Sequence, residues 1–279
     1  MILWFHTTNL PCTSNRITSK NSHYPSFIRK NDSKKTSLNM TYLKTLISEI
    51  HSLANPARAI ISQKFFKTGK WEYGEGDVFL GLTVPQTRQL VKKYAPKLTL
   101  DDVDMLLWDK HHEVRLAGCL VLVYFAQKKI YPIEELARFY MQHVSGINNW
   151  DLIDGTSEHI IGPFIQNSLS HEERVDFITQ CIASSNLWIN RIIILASFYQ
   201  IKQWNGKLTI YIAERMLTHK HDLIHKAVGW MLREVGKRCS MHELRWFLDQ
   251  YAEKMPRTML RYAIEKMGEK ERQLYLKKR

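Results

Sequence analysis

From Thr41 to the C-terminus, apolar residues recur in almost every segment at the three-and-four spacing of an amphipathic helix, which predicts an all-α chain. A first helix is expected over 42–67, broken or kinked near Asn55 because Pro56 lacks a backbone donor. The stretch Gly69-Lys70-Trp71-Glu72-Tyr73-Gly74-Glu75-Gly76-Asp77 reads as a long turn and not a strand. Val84-Pro85 opens a helix reaching about Tyr94, and Thr99-Leu100-Asp101 caps the next.

Downstream, a theme of helix, short polar turn and helix repeats. His112-Glu113-Val114-Arg115-Leu116-Ala117, Asn186-Leu187-Trp188-Ile189-Asn190-Arg191, Asp222-Leu223-Ile224-His225-Lys226-Ala227-Val228 and Met255-Pro256-Arg257 each head an apolar helix. Shorter partners are expected over 133–142, 171–182, 207–217 and 241–251. Polar residues inside the principal helices fall at Arg115, Asp154, Arg191, Lys226 and Arg261, separated by 39, 37, 35 and 35 positions. Such spacing belongs to stacked helical pairs in which equivalent positions line one face. The expected architecture is a curved α-solenoid of HEAT-like helical pairs with a concave basic groove, forming a single domain over 41–279. In that groove four cationic rows flank one acidic row, Asp154.

Charge adds a partner to this picture. Forty Lys and Arg against 27 Asp and Glu give a net charge of +13 in 279 residues, which favours a polyanion such as nucleic acid over a merely solvated surface. Residues 1–40 are rich in Ser, Thr, Asn and Lys and hold one acid, Asp32. They are expected to be a disordered basic extension, either a targeting leader or sequence upstream of a true start at Met40. The remainder stays basic at +8 without them. No apolar run approaches the ~18 residues of a membrane span. Cys12, Cys119, Cys181 and Cys239 are dispersed without a Cys-x-x-Cys pair, and the last three read as reduced core thiols of an intracellular protein.

Against that basic background the acidic run Asn149-Trp150-Asp151-Leu152-Ile153-Asp154 stands out. Trp150 and Asp154 lie at i and i+4 on one helix face, an indole and a carboxylate suited to meeting a cation. Arg191 follows Trp188 by three, and Trp230 follows Lys226 by four, with Arg233 three further on. Core packing is the ordinary fate of tryptophan and is expected for Trp108, Trp188 and Trp246, whereas Trp150 and Trp230 are tied to the polar rows. For Asp154 the competing roles are a helix ion pair or a cap, but Asp151 lies nearer the helix start and is the better cap. For Arg191 the competing role is a simple pair with a carboxylate. His221 and His225 have metal-compatible spacing but no third ligand, with Lys220 and Lys226 beside them. Glu134-Glu135 and Glu172-Glu173 suit solvated first turns. Gly74-Glu75-Gly76 lacks the spacing of a nucleotide cradle, and no Gly-x-Ser-x-Gly elbow occurs.

The Asn149–Asp154 and Asn186–Arg191 segments, and above all His225-Lys226-Ala227-Val228-Gly229-Trp230-Met231-Leu232-Arg233-Glu234, resemble the AlkD-type DNA alkylation repair glycosylases in order and spacing. The resemblance runs from about Tyr42 to the C-terminus. It implies a HEAT-like solenoid that removes N3- or N7-alkylated purines from duplex DNA without metal or cofactor. Carried over by position, Asp154 is the catalytic aspartate, Trp150 and Trp230 contact the lesion's sugar-phosphate, and Arg191 is the catalytic-site arginine. Arg191 is expected to clamp a flanking phosphate while keeping Asp154 ionised. Lys226, Arg233, Arg115, Arg257 and Arg261 are the expected DNA-binding cations. Alkylated duplex DNA is the expected partner of a monomer without membrane attachment, cytoplasmic or nucleoid-associated. The Gly69–Gly81 loop is closer to a related branch, and Gly155 directly follows the aspartate. The rival reading is a non-catalytic HEAT-like scaffold that holds nucleic acid or an acidic protein by charge, though such a scaffold has no need of the Trp150/Asp154 pair.

Overall fold

The computed structural model describes residues 33–278, with side chains from Thr41 onward. Of the extension expected over 1–40, residues 1–32 lie outside the described residues, and 33–40 are helical. Helix α1 (Ser33–Ser52) starts ahead of Met40 because no glycine or proline between 33 and 52 stops it from propagating upstream. The break at Pro56 is present. Helix α2 (Pro56–Phe65) begins there, capped by Asn55, whose side chain accepts the Arg58 N–H at 3.0 Å.

Local signals place the helices that follow. Thr83 and Gln86 form a reciprocal capping box on α3 (Val84–Tyr94), and Thr99 and Asp102 another on α4 (Leu100–Leu107). The chain continues through α5 (His112–Lys128), α6 (Ile133–Gln142), α7 (Trp150–Asp154), α8 (Ser157–Asn167), α9 (His171–Ala183) and α10 (Leu187–Ala196). It ends with α11 (Phe198–Ile201), α12 (Lys207–Arg215), α13 (Asp222–Arg238), α14 (Met241–Tyr251), α15 (Arg257–Ala263) and α16 (Glu269–Lys277). Among the described residues no strand forms, and a single isolated bridge joins Val78 to His111.

These helices stack as a HEAT-like α-solenoid. One layer runs α5, α8, α10, α13, α15, each packed on the next, while α4, α6, α9 and α12 back onto α5, α8, α10 and α13. Helix α10 shows why the layer holds. Its Ile192, Ile193, Ile194 and Leu195 are all buried, because α8, α9, α12 and α13 surround it. Each such burial contributes roughly 1.5–3 kcal/mol. Helices α13 and α15 meet at Gly229, where a Cβ would stand 2.4 Å from the Met259 carbonyl oxygen and 2.6 Å from Tyr262 Cβ. The glycine of the Lys-Ala-Val-Gly-Trp run therefore sets a helix-to-helix distance.

Two expectations about the core need correction. Trp108 and Trp246 are exposed. Trp108 ends α4 and donates its indole N–H to Asp104 Oδ1 at 3.1 Å, and Trp246 lies on the solvent side of α14. Trp188 packs partly buried against the core, as does Trp230, and Trp150 is also partly buried. Cys119 and Cys181 are buried free thiols and Cys239 is partly buried; Cys12 lies outside the described residues. Burial pushes the Cys181 thiol up to about 12, so it stays protonated.

Candidate active site

The acidic run forms a helix of one turn only. Asn149 caps α7, and after Asp154 the Thr156 and Ser157 hydroxyls donate to the Leu152 and Ile153 carbonyls, drawing the chain out of the helix before α8 starts. Leu152 and Ile153 face the core, so Trp150 and Asp154 are turned the other way, both partly buried. Helix α7 is held between α5 and α10.

Asp154 meets Arg191 of α10 in a two-point ion pair, Nε to Oδ1 and Nη2 to Oδ2, each 2.7 Å. Nη1 of the same arginine donates to the Leu223 carbonyl oxygen at the head of α13 at 2.6 Å. Three neighbouring layers of the solenoid thus converge on one carboxylate, whose side chain keeps 19% of its surface exposed. Burial lifts Asp154 above the ordinary carboxylate range; Arg191 opposes this, and the charge of Asp151 adds to it.

A second charged group anchors α7 from beneath. His112, at the head of α5, donates Nε2 to Asp151 Oδ2 and Nδ1 to Asp77 Oδ2, both at 2.8 Å. Burial disfavours the imidazolium, but the two carboxylates outweigh it and raise His112 to about 9. Asp77 also accepts Arg115 Nη2 at 2.7 Å and Asn149 Nδ2 at 3.1 Å. The capping residue of α7 and its first-turn acid are therefore tied to one buried cluster. Asp151 Oδ1 is buried without a hydrogen-bond partner.

The segment joining α2 to α3 forms the wall beside this site. Glu113 accepts the N–H groups of Leu80, Gly81 and Leu82, fixing the segment's end to α5. At its start Phe66 stacks on Trp150 with centroids 4.9 Å apart, and Phe65 meets the same indole edge-on at 5.8 Å. Farther along, Tyr73 meets Trp188 edge-on at 6.3 Å.

The expected site residues fare differently. Trp150, Asp154 and Arg191 come together, with Arg191 buried and its three nitrogens donating to Asp154 and the Leu223 carbonyl. Trp230 lies farther along α13, tilted against Phe198 at 6.3 Å. Arg115 is no groove cation. It is buried, with Asp77, Asn148 and the carbonyls of Asp109, Lys110 and Gly146 taking its donors, because its row position points into the α5 interface. Arg233 is likewise engaged, paired with Glu265 and Glu234. Lys226 forms an i,i+4 pair with Asp222 at 2.7 Å but stays partly exposed. Arg257 and Arg261 are exposed, Arg257 also donating to the Leu276 carbonyl at 2.8 Å. Asp151 does not cap α7; Asn149, which immediately precedes the first helical residue, does, and Asp151 meets His112 instead.

His221 and His225 bond to backbone, His221 Nδ1 accepting the Leu223 N–H and His225 Nε2 lying against the His219 carbonyl. Sequence reasoning missed Asp77, His112, Phe66 and Tyr73. The legible trace was a histidine and an arginine three apart at the head of an otherwise apolar helix.

The fold has a known counterpart. A solved structure described as a predicted DNA alkylation repair enzyme from Enterococcus faecalis superposes with a TM-score of 0.62 at 16% identity, covering 77% of this chain and 97% of that one. At that identity the likeness speaks for the fold alone. No curated protein matches the chain. The family model described as DNA alkylation repair enzyme matches residues 46–267, which include every residue of the α7 site and its buried anchor. The chain belongs to the DNA alkylation repair enzyme family.

Proposed function

We propose that this protein is a DNA N-glycosylase that releases cationic N3- or N7-alkylated purines from duplex DNA. The observation that carries the reading is the Asp154–Arg191 pair, a partly exposed carboxylate held at two points on the same helical turn as Trp150. Alkylation has already made the purine a cation, so its departure needs no general acid. The bond from C1′ to the ring nitrogen breaks with its electron pair moving onto the base, which leaves neutral. Positive charge develops on the deoxyribose, water adds to C1′ and loses a proton, and an abasic site remains.

Asp154 acts on the developing sugar cation, by direct attraction or by orienting the water. A unit charge pair ~4 Å apart at an effective dielectric of ~20 is worth about 4 kcal/mol, or roughly a thousandfold in rate. Arg191 shares the carboxylate's charge, so this is a ceiling. What Arg191 contributes is orientation, since three donors fix both it and the carboxylate without cost at the moment of reaction. The Trp150 indole, with one face covered by Phe66, offers its remaining surface to the sugar and helps exclude water. Trp230, on α13, takes the corresponding place two layers on. Lys226, Arg257 and Arg261 supply phosphate contacts.

Incubating the protein with methylated duplex DNA and separating free bases tests the reading. Wild-type protein should release 7-methylguanine above the spontaneous rate, and Asp154→Asn should abolish release while DNA affinity holds or rises. Release by Asp154→Asn at the wild-type rate would refute the role of Asp154. The non-catalytic scaffold is favoured by one observation, the closed and electrically neutral Asp154–Arg191 pair, and binding without any release decides for it.

A further inference from the structure

Helix α2 contains no buried residue. Ile60, Ile61 and Phe65 are 58%, 67% and 64% exposed, and Trp71 just beyond is 86% exposed in a left-handed backbone conformation with φ 68°. Helical spacing sets Arg58, Ile61 and Phe65 on one face, as positions i, i+3 and i+7. Large apolar side chains gathered on one exposed helix mark an interaction surface, since scattered single ones would need no explanation.

Charge selects the partner. Arg58, Lys64, Lys67 and Lys70 alternate with these apolar groups, and none of them is in an ion pair among the described residues. The two acids of the stretch are turned to their own backbone, Glu72 accepting the Gly69 N–H at 2.9 Å and Glu75 the Trp71 N–H at 2.8 Å. The surface is thus apolar and cationic, complementary to a polyanion that also offers apolar faces. Position narrows this further, because Phe65 touches Trp150, which shares its single helical turn with Asp154.

We infer that α2 is a wedge that engages duplex DNA beside the damaged nucleotide, with Arg58, Lys64, Lys67 and Lys70 on phosphates and Ile61 and Phe65 pressed into the groove against the base stack. Apolar wedges inserted beside a base step are a general means of unstacking a duplex, the cation contacts offsetting the cost of deformation. The inference rests on the glycosylase reading only for its location, and its test requires no base release.

The full-length chain carrying Asp154→Asn, with and without Ile61→Ser and Phe65→Ser together, is titrated with an alkylated duplex bearing 2-aminopurine next to the lesion. Both serines replace largely exposed groups, Phe65 giving up only its edge contacts to Phe66 and Trp150, so thermal unfolding should move little. The expected result is a rise of 2-aminopurine fluorescence with intact α2, lost in the double-serine protein together with about tenfold or more of DNA affinity, the scale of re-exposing two large apolar side chains. Lys64→Gln should reduce the salt slope of binding by about one. Unchanged affinity and fluorescence in the double-serine protein overturn the inference. So does a wild-type dimer that the serines convert to monomer, or vesicle binding that they abolish, since another occupant then covers the face. Loss of the wedge effect leaves the glycosylase reading standing, and failure of base release leaves the wedge result standing.

Discussion

Replacing His112 with leucine removes both donors that α5 offers to Asp77 and Asp151 while keeping a side chain of similar volume. Asp77 retains Arg115 and Asn149, but Asp151 is left without a partner on either oxygen. Breaking a buried ion pair by removing one partner costs about 3–5 kcal/mol. The pH dependence gives a second route to the same magnitude. His112 is raised from 6.5 to about 9 in the folded protein. Below pH ~6.5 both states hold the proton and the stabilisation is complete. Between there and ~9 only the folded state holds it, so stability falls with rising pH, by about 3 kcal/mol in all. Urea denaturation at pH 6, 7.5 and 9 checks this. The wild type should lose about 3 kcal/mol relative to His112→Leu across the series, the two converging near pH 9. A variant within ~1 kcal/mol of wild type at pH 6, or a difference that does not shrink with pH, would refute the cluster as the anchor of α7. Since α7 carries Trp150 and Asp154, base release should fall in the variant even where it is folded.

Three further expectations follow from the same geometry. Burial holds Asp154 above its ordinary value of 3.8 against the pull of Arg191, so base release that needs the carboxylate should fall as pH drops, with a midpoint above 3.8 in single-turnover rates. Gly229→Ala drives a Cβ into the Met259 carbonyl and Tyr262, and should cost roughly 1–3 kcal/mol in denaturant unfolding; a neutral substitution would show that α13 and α15 can separate freely. Arg261→Gln should weaken DNA binding across sequences and reduce the salt slope by about one, with Lys226→Gln giving less because Asp222 already holds that ammonium; equal slopes for both variants and wild type would remove these residues from the interface.

Much of the helical order was legible along the chain. The expected partners over 133–142 and 241–251 coincide with α6 and α14, and Pro56 divides α1 from α2, because periodicity, caps and proline act within a few residues. The 37-residue spacing between Asp154 and Arg191 marked equivalent positions of adjacent layers, and the two side chains do meet. Less was readable where spacing carries no direction. Arg115 occupies the same periodic row yet turns inward to Asp77, and Trp108 and Trp246 sit in apolar patterns yet face solvent. The His112 cluster was hidden because Asp77 comes from the glycine-rich segment, outside the repeat register.

Helix positions, stacked repeats and the pairing of an indole with a carboxylate one turn apart are properties of residue order, since hydrogen bonds within a helix and the apolar period are local. Which charges remain available is not. That depends on how closely layers approach and on where an irregular segment crosses them, and both are set by side-chain packing between residues far apart in the chain. Packing turned Arg191 onto Asp154, buried Arg115, engaged Arg233 in ion pairs with Glu234 and Glu265, and left α2 exposed beside the site.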